Sequence, residues 1–148
     1  MTWPLVVGLG SHHGDDQAGW LALDRLRERG YPIERLFRAR HPAELLDAID
    51  AKQRLVIIDA CVGGDSPGTI LCFRWPTDRL VYQRPSGSHD LSLIDIMELG
   101  QRFGCFPEAA DIWTLEGNEW SAGTEPSLEV QSAAARVADA IWEACRDA

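Results

Sequence analysis

The sequence has few basic residues. Its 148 residues include 23 acidic side chains and only 14 basic ones, which gives a formal net charge of −9. A protein that binds nucleic acid or an anionic membrane needs a basic face, so we expect neither as the main partner. The length and the hydrophobic share of 45% are ordinary for one globular domain, which we predict to span residues 1–148.

Other familiar signals are also missing. No apolar run approaches the roughly 20 residues that cross a bilayer, and the N-terminus lacks the basic segment, apolar segment and cleavage site of a signal peptide. The four cysteines lie far apart, with no C-x-x-C pair, which argues against a zinc knuckle. We therefore expect a cytoplasmic protein with free thiols, because disulfides are rare in reducing compartments.

The Gly-x-Gly turn near the N-terminus lacks the third glycine of a phosphate-binding loop. An apolar run at Leu5–Leu9 leads into this turn, and the loop that follows carries two histidines and two carboxylates: His12, His13, Asp15 and Asp16. Such side chains suit a cation rather than a phosphate. Open α/β sheets bind ligands at the carboxyl end of their strands, where this loop should lie. The sequence contains neither a nucleophile elbow nor a Ser/His/Asp order.

Strand and helix patterns alternate along the chain. The predicted strands are Leu5–Leu9, Ile33–Phe37, Leu55–Ile58, Thr69–Trp75 and Asp111–Leu115. Leu55–Ile58 is apolar without alternation, as in an interior strand that is covered on both faces. The connection after it is too short for a crossover helix, so Thr69–Trp75 should run antiparallel to it. The sequence thus predicts an α/β fold, a three-layer α/β/α sandwich with a mostly parallel sheet and one antiparallel strand.

Three polar residues should meet at one edge of this sheet. Asp16 follows the first strand, Asp59 terminates the most apolar strand and His89 precedes a helix. Because the ends of strands one and three of a doubly wound sheet can converge on one rim, two carboxylates and an imidazole could bind a divalent transition metal there. Each also has a structural interpretation: Asp16 as a helix N-cap, Asp59 as a turn residue, and His89 as a cap or a solvated loop residue.

Four segments carry a resemblance to a known family. They are Gly8–Gly10 with Gly14–Gly19, Leu55–Ala60 with Pro67–Thr69, Ser88–Leu93, and Leu115–Gly117 ahead of the last helix. With these segments the chain resembles the hydrogenase maturation endopeptidases, which trim the C-terminus of the large subunit of nickel–iron hydrogenases after nickel insertion. The segments occur in the family's order and extend over nearly the whole chain.

This resemblance implies an endopeptidase that acts on the nickel-loaded precursor of a hydrogenase large subunit. The family's nickel-contacting residues fall on Asp16, Asp59 and His89, and the two carboxylates are also the implied catalytic groups. The substrate then carries the nickel, and a divalent metal should bind only weakly to the isolated protein, because three ligands leave its coordination shell incomplete. The family fold is the same α/β/α sandwich.

Three stretches depart from the family's pattern, one of them at Glu116-Gly117, where many members have Glu-Pro. Ser11 stands where the family usually has Asn, and the loop after it is shorter and carries His12 and His13. Arg40 and His41 replace the usual turn before the second helix. We expect these two histidines, together with Arg40 and His41, to contact the substrate at the wall of the cleft.

Three other functions fit parts of the sequence. A Rossmann-like nucleotide-binding module fits the Gly-x-Gly turn, although no acidic residue closes a second strand about 20 residues later. A peptidyl-tRNA hydrolase also opens with Gly-Leu-Gly and has a later histidine, but the net charge of −9 opposes a tRNA partner. A nickel-sensing chaperone would keep the metal-binding residues without cleaving its substrate.

Overall fold

The computed structural model describes residues 3–78, 82–84 and 92–146. Within these ranges the strands are β1 (Leu5–Leu9), β2 (Leu36–Ala39), β3 (Leu55–Cys61), β4 (Ile70–Trp75) and β5 (Ala110–Glu116). The α-helices are α1 (Ala18–Glu28), α2 (Leu45–Ala48), α3 (Leu93–Arg102) and α4 (Leu128–Arg146). Short 3₁₀ turns cover Gly14–Gln17, Ile33–Arg35 and Pro42–Glu44.

The strands form one sheet in the order β2-β1-β3-β5-β4. β3 pairs in parallel with β1 on one side and β5 on the other, and β4 pairs antiparallel with β5 at the edge. The prediction that Leu55–Ile58 is an interior strand beside Leu5–Leu9 is confirmed. A strand that is buried on both faces has no solvent side, which is why its sequence shows no alternation.

Strand boundaries and one pairing differ from the sequence-based expectations. Residues Ile33–Arg35 form a 3₁₀ turn, so the second strand begins at Leu36. β3 continues through Asp59 to Cys61 because β5 still pairs with it there, whereas β1 pairs with it only as far as Ile58. β4 has the predicted direction, but β5 lies between it and β3.

Helices cover both faces of the sheet and complete three layers. One apolar core lies between α1, α4 and the β3 side chains of Val56 and Ile58, and the other lies between α2, α3 and those of Leu55 and Ile57. Successive side chains of a strand point to opposite faces, so Asp59 shares the second face with Leu55 and Ile57. The predicted α/β/α sandwich is confirmed.

Helix α1 crosses close to the ends of β1 and β3. A Cβ atom at Gly19 would lie 2.5 Å from the carbonyl oxygen of Leu9 and 2.7 Å from that of Ile58. A side chain cannot fit at this contact, which explains the glycine. The close approach places the Gly14–Gln17 turn, and with it Asp16, at the carboxyl ends of the two strands.

Ile57→Ala should destabilise the protein by about 2–5 kcal/mol. Ile57 is fully buried in β3, and so are its register partners Val7 and Ile112, which leaves a cavity that the surrounding sheet cannot close. Ile33→Ala is the matched control, because Ile33 is 68% exposed, and it should change the free energy of unfolding by less than about 0.5 kcal/mol. Urea unfolding measures both variants. Equal losses at the two positions would contradict the interior placement of Ile57.

Candidate active site

Asp16 and Asp59 come together at the carboxyl edge of the sheet. Asp59 is fully buried and Asp16 is 5% exposed, and the two carboxyls are close enough to influence each other's charge. In each residue, Oδ1 has no hydrogen-bond partner among the described residues. A buried oxygen without a partner is costly. Two such oxygens at one edge of the sheet are an arrangement that a bound cation would satisfy.

The other oxygen of Asp59 is held by two donors from the segment after β4. The Tyr82 hydroxyl donates to Oδ2 at 2.9 Å, and Nε of Arg84 donates to the same oxygen at 2.8 Å. The Arg84 side chain is only 14% exposed, so the pair is a largely buried ion pair. Because both donors use Oδ2, they fix the carboxylate and leave Oδ1 for another ligand.

The surroundings of both carboxyls raise their affinity for a proton. Burial raises the pKa of Asp59 from 3.8 to about 7, although the Arg84 guanidinium lowers this pKa and the Asp16 charge raises it. Burial also raises the pKa of Asp16, against the hydrogen bond of Ser11 and the charges of Arg84 and His13, which lower it. A carboxyl that titrates near neutral pH can exchange a proton with water. Two neighbouring carboxyls whose pKa values are both raised are typical of a functional site.

Asp15 has a structural role, unlike its neighbour in the chain. Its buried carboxylate accepts hydrogen bonds from the backbone N–H groups of Asn118, Glu119 and Ser127, at 2.8, 3.0 and 2.7 Å. These bonds attach the loop before α4 to the turn that precedes α1. Both oxygens of Asp15 are therefore used within the fold.

The structural interpretations of Asp16 and Asp59 are wrong. Asp16 lies inside the Gly14–Gln17 turn, and the residues at the N-terminal caps of this turn and of α1 are His13 and Gln17, neither of which makes a side-chain cap bond. Asp59 lies inside β3 rather than in a turn. Neither carboxylate is explained by the local backbone.

The third residue of the predicted metal site, His89, lies outside the described residues. Across residues 3–78, 82–84 and 92–146, no three His, Cys, Asp or Glu side chains are grouped closely enough to hold a metal ion. Asp16 and Asp59 thus form a pair of carboxylates, and the set of three ligands stays a prediction.

Two of the four predicted substrate contacts pack against Trp20, beside the Asp16 loop. The ring of His12 lies edge-on to Trp20 with the ring centroids 5.0 Å apart, and the Arg40 guanidinium carbon lies 6.0 Å from the Trp20 ring centroid. Arg38, which the sequence did not single out, is closer at 4.9 Å. The structure therefore gathers basic side chains around one aromatic ring, with His12 and Arg40 exposed.

The other two predicted contacts, His13 and His41, are also exposed. His13 is near enough to Asp16 for its charge to lower the pKa of that carboxyl. His41 directly precedes the Pro42–Glu44 turn. Contact of these residues with a substrate stays a prediction.

Tyr82 and Arg84, which hold Asp59, were not among the predicted site residues. They lie in the connection between β4 and α3 and belong to no motif. Two buried carboxylates require a compensating cation, and this requirement is the signal that could have led to Arg84. The sequence has 14 basic residues, however, and no local pattern says which of them reaches the site.

Cys61, two residues after Asp59 in β3, is poorly suited to act as a nucleophile. Burial raises the pKa of the Cys61 thiol to about 12, so the reactive thiolate is scarce at neutral pH. Glu116, 3.7 Å from the Cys61 sulfur, accepts hydrogen bonds from the Gly63 N–H on both oxygens, at 3.0 and 2.9 Å. Glu116 therefore fixes the connection after β3 and is not available as a free carboxylate.

Comparisons with known proteins agree with this architecture. The HybD endopeptidase from Escherichia coli has a TM-score of 0.74 at 19% identity, with 99% of this chain and 93% of that chain covered. HybD from Thermococcus kodakarensis has a TM-score of 0.74 at 22% identity, with coverages of 97% and 99%. HycI from T. kodakarensis has a TM-score of 0.71 at 19% identity, with coverages of 98% and 93%. At these identities the likeness concerns the fold.

A comparison with curated protein sequences found no match. In the part of the chain that the structure describes, none of the helices combines the length and the apolar character that crossing a membrane requires. A sequence profile of the hydrogenase maturation protease family matches residues 40–144, which is more than half of the chain. The chain therefore belongs to the hydrogenase maturation protease family, the peptidases that remove a C-terminal peptide from the hydrogenase large subunit.

Proposed function

We propose that this protein cleaves a hydrogenase large-subunit precursor only after the precursor has received nickel, which Asp16, Asp59 and His89 contact. The observation that carries this proposal is the pair of buried carboxylates, each with one oxygen that has no partner in the described structure. Carboxylates and an imidazole are a suitable donor set for a divalent transition metal. Three protein ligands leave coordination positions open for a metal that still holds its substrate ligands. Nickel is thus part of the substrate.

In this proposal Asp59 accepts a proton from the water that attacks the scissile carbonyl. Without a metal its pKa is about 7, so the fold itself supplies a carboxyl that exchanges a proton at neutral pH. Tyr82 and Arg84 hold its Oδ2, so Oδ1 stays available for the water or the metal. Because the backbone of Asp59 is part of β3, the carboxylate is preorganised and loses little entropy on engaging the substrate.

We further propose that His12, His13, Arg40 and His41 contact the polypeptide around the metal. All four are exposed and follow β1 or β2 at the carboxyl edge of the sheet. Their positions on the loops at this edge suit recognition of the substrate chain rather than the chemical step.

A cytoplasmic location is supported by the cysteines. All four are free thiols, and free thiols are usual where the compartment is reducing. We infer that the protein meets its precursor there.

Incubation with nickel-loaded and with nickel-free large-subunit precursor tests the proposed function. Intact-mass measurement should show loss of the C-terminal peptide from the nickel-loaded precursor alone. Equal cleavage of both precursors would contradict recognition of the metal. Stable binding of the loaded precursor without cleavage would instead favour a nickel-sensing chaperone.

A further inference from the structure

A positively charged side chain of the protein itself, Arg84, already lies beside the two carboxylates. Nε of Arg84 lies 2.8 Å from Oδ2 of Asp59, and its guanidinium also interacts electrostatically with Asp16. The side chain of Arg84 is largely shielded from solvent, so this charge is weakly screened. When both carboxyls are ionised, which binding of a cation requires, they and the guanidinium together carry a single net negative charge.

Hydrogen bonding alone does not account for an arginine at this position. Tyr82 donates to the same oxygen from a neutral hydroxyl, at 2.9 Å. What Arg84 adds is charge, and this charge is permanent because a guanidinium does not lose its proton in proteins. Any cation that enters between the carboxylates must therefore do so beside a fixed positive group.

We propose that Arg84 makes the site discriminate against free divalent ions, so that it accepts nickel only when anionic ligands of the substrate arrive with the metal. A bare divalent ion beside Arg84 would bring the positive charge to three, against two negative charges on the carboxylates. The buried surroundings would then hold an excess of one positive charge. A metal whose charge is already reduced by substrate ligands avoids this excess. The inference rests on the proposed function, in which Asp16 and Asp59 contact the nickel, and it makes Arg84 a specificity-determining residue.

Calorimetric titration of the isolated protein with Ni²⁺ alone tests this proposal. Arg84→Gln should bind Ni²⁺ at least about tenfold more tightly than the wild type, because it removes a unit positive charge close to the ion. Arg84→Lys keeps the charge and should stay within about threefold of the wild type. Arg74→Gln is the matched control, because it removes the same charge from an exposed arginine that pairs with Asp111. It should change the Kd by less than about threefold, since exposed charges are screened.

Three results of the titrations would overturn the proposal. They are an unchanged Kd in Arg84→Gln, equal tightening in Arg84→Gln and Arg84→Lys, and no measurable binding in the wild type and Arg84→Gln alike. Arg84→Met is made in parallel in case the Gln variant is not tolerated, and thermal melts accompany every titration. Failure of both variants to unfold cooperatively would also count against the proposal, because Arg84 would then be a requirement for folding. Cleavage of nickel-loaded precursor by the wild type is measured separately, so the proposed function can stand when this inference fails.

Discussion

Asp59→Asn is expected to lower the cleavage of nickel-loaded precursor by at least about 100-fold, the effect of losing a positioned acid–base group. Asparagine keeps the shape of the side chain and an oxygen that can accept from Tyr82 and Arg84, but it has no charge and cannot take a proton. If Asp59 had only a structural role, this substitution would preserve that role. Normal cleavage by a folded Asp59→Asn protein would therefore refute the catalytic assignment.

The same variant tests the protonation of Asp59. The folded protein holds this proton more tightly than the unfolded chain, because its pKa is about 7 against 3.8. The contribution of this protonation to the stability of the wild type should thus decrease as the pH rises from about 4 and be lost above about pH 8. Asp59→Asn has no such group and no such loss. The difference in melting temperature, variant minus wild type, should therefore be larger at about pH 8 than at about pH 5. A difference that does not change with pH would contradict the raised pKa.

Asp16→Asn is expected to have the second large effect on cleavage. Removing a residue that only hydrogen-bonds to a metal ligand typically lowers activity or metal affinity by about 10–100-fold. Loss of a carboxylate that contacts the metal should lower cleavage by at least this much. The thermal stability should not fall, because Asp16 is a buried carboxyl whose Oδ1 has no partner among the described residues and whose pKa burial raises. The measurement pairs a cleavage assay on nickel-loaded precursor with a thermal melt of the same protein.

Two control variants test whether the loss of cleavage is specific to Asp16 or is shared by its neighbours in the same loop. Replacing His12 and His13 together by Asn should lower cleavage by less than about tenfold, because exposed contacts contribute little. Asp15→Asn should lower the melting temperature by about 5 °C or more. The three backbone hydrogen bonds use both carboxylate oxygens, and an amide keeps only one oxygen that can accept. If the double histidine variant lost as much cleavage as Asp16→Asn, the ligand assignment would be wrong.

The architecture of the sheet and the family could be predicted from the sequence because both depend on local patterns. Leu55–Ile58 is apolar at every position, and a strand of that kind is buried on both faces in the interior of a parallel sheet. The carboxyl ends of such strands share one edge, so Asp16 and Asp59 were expected to approach each other. The prediction of a hydrogenase maturation endopeptidase, made from four short segments, is confirmed by the family match over residues 40–144.

The hydrogen-bond partners and the burial of these polar side chains were decided only by the tertiary structure. Asp15 and Asp16 are identical neighbours in the sequence, yet loop N–H groups more than 100 residues further along the chain use both oxygens of Asp15 and leave Asp16 partly unpaired. In the same way, Asp59 acquires its raised pKa from burial and its fixed orientation from Tyr82 and Arg84. Hydrophobic periodicity determines where the strands and helices lie. Hydrogen-bond partners and solvent exposure depend on contacts between loops that are far apart in the sequence, and no local pattern predicts those contacts.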